Sequence, residues 1–464
     1  MHSNIKLDTE RLREQDHHWV HPWEDFKTLA KTKRTVIARS EGIYLYDSDG
    51  KRMIDGPAGM WCVNLGHGRQ DMAQAIAEQA ITMPYYSPWS LSNVPASILA
   101  EKLAALAPGD LKHVFFTTGG STAVDSALRF TMYLNNCLGR REKKHIISRQ
   151  DAYHGSTYLS ASVSGKQRDK TNLDFERGFI HILPSPNPYR RPDGMTVEEF
   201  CDEKVADLEN KILELGPDKV AAFIAEPILA SGGVIIPPKG YHRRCLEVCR
   251  KYDVLYISDE VVTAFGRLGH WFASEDVFDV VPDMITTAKG ITSGYLPLGA
   301  LFISDRLVKM LGSEAAEKGM FANGYTYSGH PVCTAAALKT IEIIENENLL
   351  EHVREIGPYF QARLRELEDI PIVGEVRGEG LMACVECVGN RETKEPMTLE
   401  YEIGSRIDKH CQAMGLLIRP LYHMFVVSPP FIITRAQVDD LVGIMRKGIE
   451  KTLDDLVREG LWKG

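Results

Sequence analysis

The sequence predicts an α/β fold, in which a large domain with a mainly parallel sheet is joined to a smaller α+β domain. From about residue 92 to residue 303, strand-like and helix-like segments alternate, which is typical of a parallel sheet with helices on both faces. Further along, shorter strands and helices follow without that regularity. The chain has 464 residues, 44% of them hydrophobic, which is enough for more than one core. We place the large domain at 71–335 and the C-terminal part of the small domain at 336–464.

In the large domain, the local sequence pattern of each segment indicates whether it forms a strand or a helix. Strand segments are short runs rich in β-branched and aromatic residues, and helix segments are longer runs with periodic apolar positions. Strands are predicted at 113–117, 145–149, 179–183, 220–225, 254–258, 283–288 and 298–303. Helices are predicted at about 70–81, 95–106, 122–136, 198–215 and 240–252. Proline- and glycine-containing segments at 184–194 and 231–240 are predicted to be loops.

The remaining segments have weaker patterns. Residues 42–46 followed by 47–50 predict a strand and a tight turn. The polar first 40 residues contain a histidine and tryptophan cluster, which suits a docking arm better than a metal site. That cluster consists of His17, His18, Trp19, His21 and Trp23. After Pro331 a helical stretch is predicted to run to about residue 369. Strands at 373–386, 415–419 and 424–428, a helix near 400–414 and a last helix from 435 complete the small domain.

Composition excludes several classes of protein. The net charge of −9, without a lysine- or arginine-rich tract, argues against a nucleic acid partner. No apolar run is long enough to span a bilayer, and the first residues lack the apolar core of a signal peptide. Nine cysteines fit reduced thiols in a cytoplasmic protein. Cys384 and Cys387 have C-x-x-C spacing but no second pair nearby, so we predict no metal there.

Two strand ends carry side chains that suit covalent chemistry. The apolar run 283–288 ends at Lys289, and burial of a lysine is costly unless its amine loses its charge. A lysine with a lowered pKa can form a Schiff base with an aldehyde. Thirty positions earlier, another strand ends at Asp259. A lysine anchor and a carboxylate for the pyridinium nitrogen are what pyridoxal phosphate needs, although a surface position for this lysine is the simpler alternative.

A candidate anion site lies between strand 113–117 and the next helix. Gly119 and Gly120 allow backbone N–H groups to converge at a helix N-terminus, and Ser121 and Thr122 can cap that helix. A tight turn with a capped helix, without any ligand, is an equally good interpretation. The segment lacks the Gly-Lys-Ser/Thr of a Walker A loop and the G-x-G-x-x-G pattern, which disfavours nucleotide binding.

Three more candidates follow predicted strands. Tyr153 could stack on a flat heterocycle, or simply fill core. Val261, two residues after Asp259, could contact the other ring face, and Glu226 places one more acid at a strand end. Open α/β folds bind ligands at the carboxyl ends of their strands, where these residues are expected to lie.

Taken together, these residues make the chain resemble the class III aminotransferases, which are pyridoxal phosphate enzymes of fold type I. The resemblance extends from residues 61–63 to residues 428–430. The most specific segment is 257–267, Ile-Ser-Asp-Glu-Val-Val-Thr-Ala-Phe-Gly-Arg, followed by 283–290 and 324–331. Within the family, the chain looks most like the ω-amino acid or amine:pyruvate transaminases. The resemblance implies a small domain built from both chain ends, with residues 1–70 as its N-terminal part and an arm.

The resemblance also implies a role for each matching residue. Lys289 would bind the cofactor and later move the substrate proton, and Asp259 would pair with the pyridinium nitrogen. Thr326 would reach the phosphate of a second subunit, in a homodimer or a dimer of dimers. Besides Lys289 and Asp259, the expected cofactor-binding residues are Gly120, Ser121, Tyr153, Glu226, Val261 and Thr326. The expected substrate-binding residues are Trp61, Trp89, Tyr153 and Arg419.

The expected reaction is transfer of an amino group from a primary amine or ω-amino acid to a 2-oxo acid, most plausibly pyruvate, by a ping-pong mechanism. The alternatives are polyamine or taurine transamination, decarboxylation or racemisation on the same scaffold, and a non-catalytic regulator, which would need a nucleic-acid-binding region that this chain lacks. The chain departs from the family at Thr122, where an acid is usual. It also departs at 420–424, which is bulkier than the usual glycine-bearing segment and should narrow the pocket.

Overall fold

The computed structural model of the chain describes residues 7–29 and 31–462. Its strands are β1 Ile37–Glu41, β2 Tyr44–Asp47, β3 Arg52–Asp55, β4 His113–Thr117, β5 His145–Arg149, β6 Ile180–Leu183, β7 Val220–Ala225, β8 Leu255–Asp259, β9 Met284–Thr287, β10 Gly299–Ile303, β11 Val373–Glu379, β12 Met382–Asn390, β13 Glu395–Pro396, β14 Leu416–Leu417, β15 Arg419–Leu421 and β16 Met424–Val427. Its helices are α1 Thr9–Asp16, α2 Ala58–Trp61, α3 Gln70–Thr82, α4 Val94–Leu106, α5 Gly120–Cys137, α6 Tyr158–Val163, α7 Val197–Leu215, α8 Tyr241–Lys251, α9 Ala273–Asp276, α10 Asp305–Leu311, α11 Pro331–Asn346, α12 Leu349–Arg365, α13 Ile403–Ala413 and α14 Arg435–Arg458.

A seven-stranded sheet in the order β4-β10-β9-β8-β7-β5-β6 forms the centre of the molecule. Strands β5 to β9 are parallel to one another, and β10 runs antiparallel to both β4 and β9. Every residue of β7, β8, β9 and β10 is buried, as expected for strands covered by helices on both faces. The predicted α/β fold with a mainly parallel sheet is confirmed.

Two smaller sheets lie outside the central one. The first has the order β1-β2-β3-β14, and β14 pairs in parallel with β3, with Leu416 opposite Ile54. The second has the order β11-β12-β16-β15, with the short β13 beside β12. An early hairpin therefore shares a sheet with a strand from near the C-terminus. This pairing supports the proposal of a small domain made from both chain ends, whose boundaries remain a prediction.

The prediction of one continuous helical stretch from Pro331 to about residue 369 is wrong, because the structure has two helices there. Helix α11 ends at Asn346, and α12 begins at Leu349. Between them Asn348 has a φ of 52°, in the left-handed region that breaks an α-helix and that asparagine tolerates better than most residues. The two helices can therefore change direction, and α12 packs on α14 within one core.

A buried arginine holds together the segments that surround the sheet edge. Arg267 is fully buried, and its guanidinium donates to the carbonyls of Leu381, Ser428 and Pro429 and to the side chain of Asn64. Burial lowers the pKa of this guanidinium to about 9. Three chain segments far apart in sequence are thereby fixed to the end of the segment that follows β8.

None of the helices described in residues 7–29 and 31–462 combines the length and apolar character needed to span a membrane.

Candidate active site

A cavity of about 580 Å³ lies at the carboxyl ends of β7, β8 and β9 and at the start of α5. This volume is within the range of small-molecule binding sites. Nine of the predicted site residues line it, whereas Thr326 and Trp89 do not. The nine are Trp61, Gly120, Ser121, Tyr153, Glu226, Asp259, Val261, Lys289 and Arg419.

Lys289 follows directly after β9 and Ala288, and its backbone has a φ of 42°. A positive φ is uncommon for a lysine and marks a backbone fixed by its surroundings. Burial lowers the pKa of its ammonium, and the nearby charge of Asp259 counteracts part of that shift. A lysine with a lowered pKa presents more neutral amine at neutral pH, which suits nucleophilic attack on an aldehyde.

Asp259 ends β8 and is held by a buried histidine. Its Oδ2 lies 2.6 Å from Nδ1 of His154, and its Oδ1 accepts from the N–H of Val261 at 3.2 Å. The other ring nitrogen of His154 lies 3.2 Å from Oγ of Ser148, on β5. Both Asp259 and His154 are nearly inaccessible to solvent. A carboxylate hydrogen-bonded by an imidazole on one side keeps its direction, as a partner for a ring nitrogen must.

Glu226 and Tyr153 form a second buried connection beside Asp259. The carboxylate of Glu226 accepts the N–H of Tyr153 at 2.9 Å and the N–H of Ala230 at 3.1 Å. Burial raises the pKa of this carboxyl, while the nearby His154 lowers it. These two hydrogen bonds fix the loop that carries Tyr153 and orient its ring toward the cavity. Glu226 is therefore a structural support as well as a cavity residue.

The N-terminus of α5 points its first peptide groups at the cavity. Gly119 at the N-cap provides no side-chain cap, so early N–H groups of this 18-residue helix remain free for a ligand. The expectation that Ser121 and Thr122 cap the helix is wrong. Both lie inside its first turn, where Oγ1 of Thr122 donates to the carbonyl of Gly119 at 2.8 Å and Oγ of Ser121 accepts from the N–H of Ser156 at 3.0 Å.

Gly120 lies in close approach to a neighbouring side chain. A Cβ at this position would lie 3.0 Å from a methyl group of Val261, which lines the same cavity. A side chain here would therefore push Val261 into the space between the helix start and the strand end. The free helix N-terminus, the glycine and the two strand-end residues together fit a flat heterocycle that carries a phosphate.

Arg419 supplies a cation to the lining of the cavity. Its Cζ lies 4.8 Å from the ring centroid of Trp61, and its Nη1 contacts Sδ of Met60. No carboxylate pairs with it among the described residues. Burial lowers the pKa of its guanidinium, which nonetheless stays protonated because arginine starts from so high a value. An arginine that rests on an aromatic ring without an anionic partner is ready to bind a carboxylate.

The two predicted residues outside the cavity lie together at the surface. Thr326 is exposed, and its carbonyl accepts from the hydroxyl of Tyr85 at 2.9 Å. Trp89 is 67% exposed and lies close to Gly324. A single chain therefore does not bring these two residues to its own Lys289, and their roles remain a prediction.

The cavity also contains residues that the sequence did not single out for this site. Trp23, assigned to a docking arm, lines the cavity with its ring 6.0 Å from that of Tyr153. His154 was visible only as the neighbour of Tyr153, and its contact with Asp259 spans 105 positions. Lys166 donates to the carbonyl of Ser231, and burial lowers its pKa. No local pattern marks such residues, because their function depends on distant segments.

A lysine with a lowered pKa, a carboxylate fixed by histidine and a helix N-terminus at one edge of an α/β sheet define a pyridoxal-phosphate-dependent enzyme. Comparison with known families identifies which one. The profile of the family "Aminotransferase class-III" matches residues 28–449. The chain therefore belongs to the class III aminotransferases, pyridoxal phosphate enzymes of fold type I, and it is an aminotransferase.

Characterised relatives cover nearly the whole chain. The putrescine–pyruvate aminotransferase of Pseudomonas aeruginosa is 40% identical over 453 residues, which cover 97% of this chain and 98% of that one. The mitochondrial gamma-aminobutyrate transaminase 1 of Oryza sativa subsp. indica is 40% identical over 420 residues, 90% of this chain and 81% of that one. A solved structure, the omega transaminase of Pseudomonas jessenii in complex with PMP, superposes with a TM-score of 0.91 at 38% identity, covering 97% of this chain and 99% of that one.

Proposed function

We propose that this aminotransferase takes its amino group from a primary amine or an ω-amino acid and passes it to a 2-oxo acid, with pyruvate as the acceptor. The observation that carries the proposal is Arg419, which has no carboxylate partner within residues 7–29 and 31–462 and lies in the same cavity as Lys289, beside the apolar wall of Trp61. An apolar wall suits the chain of an amine, and a guanidinium suits the carboxylate of an acceptor. One relative is named for putrescine and pyruvate and another for gamma-aminobutyrate, so the donor class agrees with theirs.

Within this proposal each residue has a defined task. Pyridoxal phosphate, when bound, supplies an aldehyde and an electron-accepting ring. Lys289 would hold the cofactor through its amine and would carry the proton that leaves the substrate carbon. Asp259 holds a proton on the ring nitrogen, with His154 fixing the carboxylate from behind. Gly120 and Ser121 bind the phosphate at the start of α5.

The proposal is tested by separating the two halves of the reaction. The purified holoenzyme is mixed with putrescine, gamma-aminobutyrate, β-alanine, taurine or n-butylamine, and the cofactor absorbance is followed by stopped flow. Pyruvate is then added, and alanine is measured. We expect donor-dependent bleaching without an acceptor, recovery with pyruvate, and parallel lines in double-reciprocal plots. Decarboxylation or racemisation of the donor without alanine formation would contradict the proposal.

Replacement of Arg419 should impair the half-reaction with the acceptor but not the half-reaction with a donor that lacks a carboxylate. Losing a charged hydrogen-bonded partner costs about 2–4 kcal/mol, so Arg419→Ala should raise the KM for pyruvate at least about tenfold. The half-reaction with n-butylamine should change little, because this donor has no carboxylate. Arg406→Ala, which removes a half-buried arginine paired with Glu459, is the matched control. Equal losses in both half-reactions would show that Arg419 is structural.

We further propose that two chains share each active site. Several large apolar side chains close in sequence to Thr326 and Trp89 are exposed, and exposed apolar side chains of this kind are typical of a subunit interface. They include Ile81, Tyr86, Trp89, Leu91, Val94 and Tyr327. In the homodimer Thr326 of one chain would contribute to the phosphate site of the other, which makes the two chains interdependent.

Subunit mixing tests the shared site. Thr326→Glu places a carboxylate against the phosphate, and Lys289→Ala removes the reactive amine; each variant alone should be nearly inactive. After the two are unfolded and refolded together, hybrids with one intact site should restore about a quarter of wild-type activity. A mixture of Lys289→Ala with Asp259→Asn should not recover, because both residues line the cavity of one chain. Absence of recovery in the first mixture would refute the shared site.

A further inference from the structure

An arginine and a tyrosine from distant segments meet across the rim of the cavity. Cζ of Arg168 lies 3.8 Å from the ring centroid of Tyr422, close enough for a stacked cation–π contact. Both residues line the same cavity as Lys289. Arg168 belongs to the turn that follows α6, and Tyr422 belongs to the connection between β15 and β16. The pair therefore joins two parts of the structure above the reacting groups.

Tyr422 occupies a backbone position that favours glycine. It forms with His423 the two-residue connection of the hairpin, in which Leu421 pairs with Met424. Its φ is 62°, where a tyrosine is strained and where hairpin turns commonly use glycine. A bulky side chain that persists in such a conformation points to a contact that compensates for the strain. The ring of Tyr422 finds that contact in Arg168.

Both sides of the pair are fixed in place. The turn of Arg168 lies between Lys166, whose Nζ donates to the carbonyl of Ser231, and Lys170, whose Nζ donates to the carbonyl of Ser162 at 2.8 Å. On the other side, the carbonyl of Tyr422 accepts the N–H of Gly404 at 2.8 Å. A stacked pair whose two backbones are anchored behaves as a wall with a fixed position.

We propose that the Arg168–Tyr422 pair is the outer wall of the donor pocket and selects slim, unbranched amines over amines with a bulky distal group. This inference rests on the proposed function and names the donor class of the same site. A donor whose amino group reaches Lys289 extends its far end toward the rim. A linear aliphatic chain passes the stacked pair, whereas a distal ring collides with it. Pocket walls of this kind discriminate by shape and leave the chemistry at the reacting carbon unchanged.

Two donors with the same reacting end test the wall. n-Butylamine and 4-phenylbutylamine both present a CH₂NH₂ group and differ only in the distal phenyl. We expect Tyr422→Ala to raise the kcat/KM ratio of 4-phenylbutylamine to n-butylamine at least about tenfold, and Arg168→Ala to change it in the same direction. Tyr422→Phe keeps the ring and should stay within about twofold of the wild type. Because either single change opens the same wall, the double variant should gain less than the product of the two.

Two further variants keep the test independent of folding. Tyr422→Gly relieves the positive φ, so it should open the pocket without lowering the melting temperature. Tyr401→Ala removes a nearby tyrosine that does not line the cavity and should leave the donor ratio unchanged. An unchanged donor ratio in Tyr422→Ala and Tyr422→Gly, or an equal gain for both donors, overturns the inference. Absence of turnover with every amine in the wild-type enzyme would instead overturn the proposed function, and this inference with it.

Discussion

Replacing Lys289 by alanine should abolish transamination while leaving the fold and much of the cofactor affinity intact. In the proposed function the amine of Lys289 would attack the aldehyde and move the substrate proton, and loss of a positioned proton carrier alone costs on the order of 10²–10⁴-fold in rate. The uncapped N-terminus of α5, where we propose that the phosphate binds, does not involve this side chain. We therefore expect Lys289→Ala to retain pyridoxal phosphate non-covalently and to lose at least about 10³-fold in kcat.

Absorbance spectra, borohydride trapping and steady-state rates check this expectation. In the wild type, borohydride should fix the cofactor to the peptide that contains Lys289, and in the variant it should fix none. Lys143→Ala is the matched control, because Lys143 is also a lysine with a pKa lowered by burial but does not line the cavity. Full turnover by Lys289→Ala would falsify the assignment of the reactive lysine.

Replacing Asp259 by asparagine should give the second-largest effect. The amide has nearly the shape of the carboxylate but no charge, so it cannot hold a proton on the ring nitrogen of the cofactor. His154, 2.6 Å away, would then face a neutral group in a buried site. Removal of one electrostatic partner of the transition state typically costs about 10²–10³-fold in kcat. We expect a loss of at least about 100-fold for both half-reactions, because both use the same ring.

The neighbouring acid provides the control for Asp259. Glu260 is also buried, but its carboxylate accepts hydrogen bonds from Ala273 and Ser274 and does not line the cavity. Glu260→Gln should therefore lower the melting temperature while keeping kcat close to that of the wild type. Comparing the two variants by stopped flow and thermal unfolding separates chemistry from stability. A kcat for Asp259→Asn within a few-fold of wild type would place the ring-nitrogen partner elsewhere.

The positions that the sequence could assign are those that local signals mark. Lys289 and Asp259 stand at the ends of apolar strands, and Gly120 stands where a strand meets a helix, so chain order alone brings them to one edge of a parallel sheet. The strands of the large domain were predicted to within about two residues, because short buried β-branched runs have few alternatives.

Contacts between distant segments were decided by tertiary packing alone. The pairing of β14 with β3, the antiparallel β10 and the break at Asn348 depend on how segments meet in space. The same holds for His154 behind Asp259, for Trp23 in the cavity and for Arg168 on Tyr422, whose partners lie far away in the sequence. The sequence thus determined the chemistry at the strand ends, because each reactive residue follows its own strand. The shape of the pocket around that chemistry was decided by the fold, because a wall needs two segments that only packing brings together.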